Sequence, residues 1–229
     1  MNIGGLQKVS LIDYPGMICA VIFLQGCNFK CPYCHNPELV NSRLFQPCLD
    51  EDAVLNFLNT RRGKLDAVTI TGGEPTIQKT LLPFIKKIRK MEFAVKLDTN
   101  GSQPQVVKAL LTNKLLDFIA MDIKSPLDKY KAVAGVPIDP EKIMESISII
   151  LQTGLPCEFR TTIVKSQLTP NDILKIAALI PGAHHYVLQK FIPVKTLNKK
   201  FLQEESYSED ELEKIKKRLE KDNASVIVR

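Results

Sequence analysis

Three cysteines, Cys27, Cys31 and Cys34, stand in the run Gly26-Cys-Asn-Phe-Lys-Cys-Pro-Tyr-Cys-His35, with the spacing C-x₃-C-x₂-C. A structural zinc site takes four ligands in a closed shell, and a four-iron cube is usually held by four thiolates. Three thiolates on a cube leave one iron without a protein ligand, open to a substrate or cosubstrate. Two blander readings stand beside this one. His35 could complete a zinc site, although it directly follows Cys34 and adjacent side chains seldom turn to one small ion. The three could also be ordinary buried thiols, since free cysteine is among the most buried residue types.

Other candidate residues fall where short apolar runs end. Thr71-Gly-Gly-Glu-Pro75 closes one run. Its glycines let a ligand approach the backbone, because no Cβ is in the way, and Glu74 offers a carboxylate to a cationic group. A plain glycine turn would read the same. Asp98-Thr-Asn-Gly101 closes another run and is also a good turn sequence. Asp122-Ile-Lys124 puts opposite charges on one face by two-residue alternation, for function or for an ion pair with a neighbouring strand. Arg160 and Gln189 lie on two further runs.

These residues need elements to position them. Strands are expected at Cys19–Gln25, Asp66–Thr71, Ala94–Thr99, Asp117–Lys124, Cys157–Val164 and His184–Phe191, all short, apolar and bounded by turn signals. Helices are expected between them. One is capped by Asp50 and carries Leu55 and Leu58. The next bears Leu81, Ile85 and Ile88, and a third bears Val107, Leu110 and Leu111 after Ser102 and Pro104. Ile143, Ile147 and Ile150 form a face that stops at Gly154. Thr169-Pro170 opens the helix of Ile173, Ile176 and Ile180. Ser208 to Glu211 is a capping box for a last helix with Leu212, Ile215 and Leu219. Strand and helix alternating six times predict an α/β fold with a parallel sheet and right-handed crossovers. Six are too few for the closed eight-stranded barrel, and the pattern alone leaves an open doubly wound sheet possible. Either architecture places ligands at the C-terminal strand ends.

The 229 residues are 45% hydrophobic and 24% charged, with a net charge of +6 spread along the chain. No basic run interleaved with aromatics points to nucleic acid. The longest apolar run, Met17 to Leu24, is too short to span a bilayer. The opening Met-Asn-Ile-Gly-Gly-Leu-Gln-Lys lacks the pattern of a signal peptide, so a cytoplasmic location is expected. There, clustered cysteines point to metal or redox chemistry rather than disulfides. Cys19 and Cys157 sit in apolar segments and read as packing residues; Cys48 is grouped with them, without a clear role.

The cysteine run resembles the signature of the radical S-adenosylmethionine (SAM) enzymes. That resemblance implies a six-stranded parallel (β/α)₆ partial barrel, a [4Fe–4S] cluster on Cys27, Cys31 and Cys34, and SAM chelated at the open iron. It also implies reductive cleavage of SAM to a 5′-deoxyadenosyl radical, with no protein general base. Tyr33 would lie near the adenine, and Gly72, Gly73 and Glu74 resemble the segment that holds the SAM ammonium. Cys34-His-Asn-Pro37, Asp98-Thr-Asn-Gly101, Asp122-Ile-Lys124 and the opening Gly4 to Gly16 resemble a subset, the glycyl-radical-enzyme activases, and most closely those of anaerobic ribonucleoside-triphosphate reductase. On that resemblance Asp98, Thr99, Asn100, Asp122 and Lys124 surround SAM, with a monovalent cation near Asp98 and Asp122 in some members; Arg160 and Gln189, on the fifth and sixth expected strands, point to the same site or serve simple structural roles. The expected partners are a large glycyl radical enzyme as protein substrate and a flavodoxin- or ferredoxin-type electron donor. A single domain over 1–229 is expected, with its core at about 17–193 and an extension at 195–229 carrying one helix. The basic stretch from Lys195 to Lys221 could meet a partner surface or be a solvated helix. Alternative readings are a radical SAM enzyme acting on a small molecule in cofactor or modified-base synthesis, a pyruvate formate-lyase-type activase, and a non-enzymatic metal-binding module.

Overall fold

A computed structural model of the chain describes residues 1–220 and 225–229, so Lys221 of the basic stretch lies outside the described residues. Among these, the strands are β1 (Ile3–Ser10), β2 (Cys19–Leu24), β3 (Ala67–Gly72), β4 (Ala94–Thr99), β5 (Phe118–Asp122), β6 (Cys157–Ile163), β7 (Tyr186–Lys190) and β8 (Val226–Val228). The helices are α1 (Pro37–Val40), α2 (Glu51–Asn59), α3 (Leu81–Arg89), α4 (Pro104–Thr112), α5 (Tyr130–Ala134), α6 (Pro140–Gln152), α7 (Pro170–Ala177) and α8 (Glu209–Leu219). The strands follow chain order in one sheet, β1 to β8. The six expected strands are β2 to β7. The sheet therefore has eight strands rather than six, and it is not wholly parallel, because β1 runs antiparallel to β2.

β1 escapes the sequence pattern because it has no buried face: only its end residues Ile3 and Ser10 are buried, with two glycines and Gln7-Lys8 between them. β8 is three residues long, too short for any periodicity. The strands that were legible are mostly buried and largely apolar, as strands covered on both sides tend to be; β2 has five of its six residues buried.

The chain divides into two compact units. The first comprises Met1–Asn28, Glu38–Thr99 and Gln105–Ile119. In it β2, β3 and β4 pair in parallel with regular register, Cys19 opposite Ala67 and Ala67 opposite Ala94. Asp50 caps α2 by accepting from the Ala53 amide, and α3 buries Leu81, Phe84, Ile85 and Ile88 against this sheet side. The second unit comprises Phe29–Pro37, Asn100–Pro104 and Ala120–Arg229. There β6, β7 and β8 pair in parallel, and α7 and α8 open with the two capping boxes at Thr169/Asp172 and Ser208/Glu211. Among the described residues no helix is long and apolar enough to cross a membrane.

Candidate metal and cofactor site

In the first unit, β2 runs out into Gln25-Gly26-Cys27, and β3 runs out into Gly72-Gly73-Glu74. The two strand-end loops are laced together. The Gly73 amide donates to the Leu24 carbonyl, the Glu74 amide to the Gly26 carbonyl, both at 2.8 Å, and the Gln78 side-chain amide to the Gln25 carbonyl at 2.7 Å. Gly72 has φ +120°, and a Cβ on Gly73 would stand 2.0 Å from the Gly26 oxygen. The close approach that these glycines permit is therefore the approach of the Glu74 loop to the loop that presents Cys27.

Glu74 is fully buried. One carboxylate oxygen accepts from the Thr76 amide at 3.0 Å, from the Thr76 hydroxyl at 2.5 Å and from the Thr99 hydroxyl at 2.7 Å. Thr99, at the end of β4, thus orients Glu74. Asp98 pairs at 2.8 Å with Lys96, two residues earlier on the same face of β4. Lys96 is itself buried and donates to the Asp13 carbonyl at 2.8 Å.

In the second unit, Cys31, Tyr33 and Cys34 share a tight turn in which the Cys34 amide donates to the Cys31 carbonyl at 3.0 Å. The turn is anchored through Lys30, whose amide donates to the Ala134 carbonyl, and through Phe29, whose ring meets Tyr130 edge-on. Burial pushes the Cys31 thiol up to about 11, and the Lys124 ammonium pulls the other way. Tyr33 is also pushed well up, by burial first and then by the neighbouring Cys31.

Asp122, at the end of β5, accepts from the Arg160 Nε at 2.7 Å and from the Lys124 ammonium at 3.0 Å. Burial opposes its charged form, but Arg160 and Lys124 outweigh burial and hold its carboxyl well below the usual range. Lys124 is likewise held well above its ordinary value: burial works against the ammonium, and Asp122, Tyr33 and Cys31 more than compensate. Arg160 also faces Glu158 at 3.7 Å, and Arg229 faces Glu158 at 3.2 Å. The charges of Asp122, Lys124 and Arg160 therefore form an ion-pair network, and the cross-strand pairing is the one between β5 and β6. Asp98 and Asp122, expected beside a monovalent cation, each already have cationic side-chain partners. Asn100 accepts from the Ser102 amide at 2.9 Å, an Asx turn. Gln189 lies half-buried on β7 opposite Thr162. Cys19 and Cys157 are buried as expected, whereas Cys48 is exposed.

Several residues of this machinery carried weaker signals. Lys96 is a charge inside an otherwise apolar strand, spaced by two from Asp98, and that alternation could have marked it. Thr76 and Glu158 gave no comparable pattern.

Cys31 and Cys34 bring to one turn thiols of the kind an iron–sulfur centre takes; Lys124 favours the Cys31 thiolate but burial outweighs it, and among the described residues no three His, Cys, Asp or Glu side chains are gathered as for a metal ion. The pattern of the Radical SAM superfamily matches residues 21–180. The chain belongs to the radical SAM superfamily. Its cofactors are those of the superfamily, a [4Fe–4S] cluster and SAM. Within this radical SAM group the chain is 35% identical to "Putative glycyl-radical enzyme activating enzyme MJ1227" of Methanocaldococcus jannaschii, over 99% of this chain and 95% of that protein. It is 27% identical to the pyruvate formate-lyase-activating enzyme of Clostridium pasteurianum, over 86% of this chain and 83% of that one. A radical SAM methyltransferase from Sphaerobacter thermophilus shares the fold, with a TM-score of 0.74 at 16% identity over 94% of this chain and 67% of that one. The chain spans about half the length, 47%, of another solved match, Streptococcus suis SuiB (TM-score 0.70, 13% identity). Along most of its length the chain is thus similar to enzymes of the glycyl-radical-activating kind.

Proposed function

We propose that this radical SAM protein generates a glycyl radical on a partner enzyme, and that the partner is an anaerobic ribonucleoside-triphosphate reductase. The observation that carries the reading is that Cys27, Glu74, Thr99, Asp122 and Lys124 all lie at or just after strand ends, where this fold class binds ligands, with Arg160 reaching Asp122 from within β6. Cys27, Cys31 and Cys34 are assigned as the cluster ligands. When bound, the cluster supplies one electron to cleave SAM, and the resulting radical abstracts a hydrogen atom.

The remaining work falls to this chain's residues. Glu74, fixed by Thr76 and Thr99, binds the SAM ammonium, and Gly72 and Gly73 shape its loop. Lys124 and Arg160, poised by Asp122, face the SAM carboxylate and ribose. Tyr33 packs by the adenine, and Asp98, Asn100 and Gln189 complete the surround. β2 to β7 correspond to the family's six-stranded partial barrel, within one domain over 1–229 whose core is about 17–193. The partner is a large protein, the electron donor is of flavodoxin or ferredoxin type, and the location is the cytoplasm. A pyruvate formate-lyase-type partner is the second reading, favoured by the similarity to the Clostridium pasteurianum enzyme.

Reduction of the reconstituted protein with SAM tests the chemistry: 5′-deoxyadenosine should form in wild type and not in Cys31→Ala. Formation in both would overturn the assignment.

A further inference from the structure

Beyond β7 the chain does not leave the cysteine turn behind. Residues 191–198 run back along it and make four separate attachments. The Leu197 amide donates to the Cys34 carbonyl at 3.0 Å, and the Asn198 amide donates to the Pro32 carbonyl at 2.9 Å. The His35 Nε2 lies 2.9 Å from the Ile192 carbonyl. A carbonyl oxygen can only accept, so Nε2 carries the proton and donates. The Phe191 ring stacks on the His35 imidazole, with centroids 5.3 Å apart and planes within 11°, and meets Tyr33 edge-on at 6.4 Å. Thr196, mostly buried, fixes the bend of the segment by donating to the Asn198 carbonyl at 2.8 Å.

On its other side the same turn rests on α5. There Gly135, at φ +73°, lets the chain pass so close to Lys30 that a Cβ would fall 2.3 Å from the Lys30 oxygen. Residues 29–35 are therefore held between two elements of their own unit. None of the four attachments uses a cysteine side chain. The turn is fixed instead at the Pro32 and Cys34 carbonyls and at the His35 ring.

We propose that the 191–198 segment is a clamp for the cluster-binding turn, with His35 and Phe191 as its positioning residues. This rests on the reading of Cys31 and Cys34 as cluster ligands. The segment lies outside the stretch matched by the superfamily pattern, which ends at residue 180. Its function is to keep Cys31 and Cys34 at ligand geometry when iron is labilised. Groups that orient ligands in this way commonly change metal affinity by about 10–100-fold when removed.

The test compares full-length variants reconstituted without oxygen, reading the rate at which a ferrous chelator strips iron, and the cluster's midpoint potential. His35 is exposed, so His35→Ala should fold as wild type does, which a thermal melt of the metal-free protein checks. Iron loss should be about tenfold faster or more in His35→Ala, and the midpoint potential should move. His35→Phe keeps the stack and loses the hydrogen bond, and should fall between the two. Phe191 is buried, so Phe191→Ala, which also lowers the melt, should lose iron at least as fast as His35→Ala. Release rates and potentials equal to wild type in both alanine variants would overturn the clamp while leaving the ligand assignment intact. A cluster that survives both Cys31→Ala and Cys34→Ala would overturn the ligand assignment, and the clamp with it.

Discussion

Gly73→Ala is the sharpest perturbation of the strand-end lacing. The added methyl would lie 2.0 Å from the Gly26 oxygen, 2.6 Å from the Gly26 carbonyl carbon and 3.1 Å from the Leu39 oxygen. All three are backbone atoms, so no side chain can swing aside. Relief requires the loops to part by more than an ångström, which breaks the Gly73 amide to Leu24 and Glu74 amide to Gly26 hydrogen bonds. Two lost backbone hydrogen bonds are worth about 1–3 kcal/mol together, and forced overpacking adds about 1–3 kcal/mol. We therefore expect a loss of about 2–6 kcal/mol, read as a shifted midpoint in urea unfolding of the metal-free protein. Cluster loading should fall as well, because Cys27 follows Gly26 directly. Gly16→Ala is the control, since its Cβ would meet nothing within 4 Å. Its positive φ of 75° still carries the usual strain of about 1 kcal/mol. A Gly73→Ala protein within 1 kcal/mol of Gly16→Ala would refute the steric argument.

Three further outcomes follow from the same geometry. Alanine at Cys27, Cys31 or Cys34 should abolish the brown colour and the near-equal iron and sulfide of reconstituted protein, whereas alanine at Cys19, Cys48 or Cys157 should not; colour retained in any of the first three would contradict the assignment. Glu74→Ala should weaken SAM binding by about 1–3 kcal/mol, the range for a lost charged hydrogen bond, while iron content holds; equal affinity in equilibrium binding would remove Glu74 from the SAM site. Asp172 accepts from Lys129 and from the Thr169 amide and hydroxyl. Burial opposes its charge, but these partners outweigh burial and lower its pKa. Its stabilisation is thus present above the ordinary carboxylate range and is lost as pH falls through the lower folded value. Asp172→Asn should cost about 1–2 kcal/mol at pH 7, the half-exposed Lys129 contributing little. That gap should shrink below about pH 4; a gap that stays constant with pH would show that the charge is not involved.

The sequence made legible what depends on local pattern. β2 to β7 announce themselves because each is a short run rich in β-branched and other apolar residues bounded by turn signals, and Asp50, Thr169 and Ser208 mark helix starts because each satisfies an amide three residues on. β1 was hidden because its face is made of glycines and exposed polar residues, and its pairing with β2 is set by the hairpin rather than by alternation. The site was legible where chemistry needs a rare residue type, as at the cysteines and Glu74. It was illegible where one side chain serves another across the fold. Thr99 reads as a turn residue until it is seen donating to Glu74, and Arg160 and Asp122 read separately until the register of β5 and β6 pairs them. The role of Phe191 depends on a chain that returns to the cysteine turn from more than 150 residues away, a contact that no local pattern encodes.

On the proposed reading the substrate is a backbone glycine of another protein. The direct measurement mixes the reduced, reconstituted protein with SAM and a candidate glycyl radical enzyme in the absence of oxygen, and records the electron paramagnetic resonance spectrum. A glycyl radical would appear as a doublet on the partner whose main splitting collapses when the glycine α-carbon is deuterated. Cleavage of SAM with no partner radical, accompanied by turnover of a small metabolite, would contradict that reading.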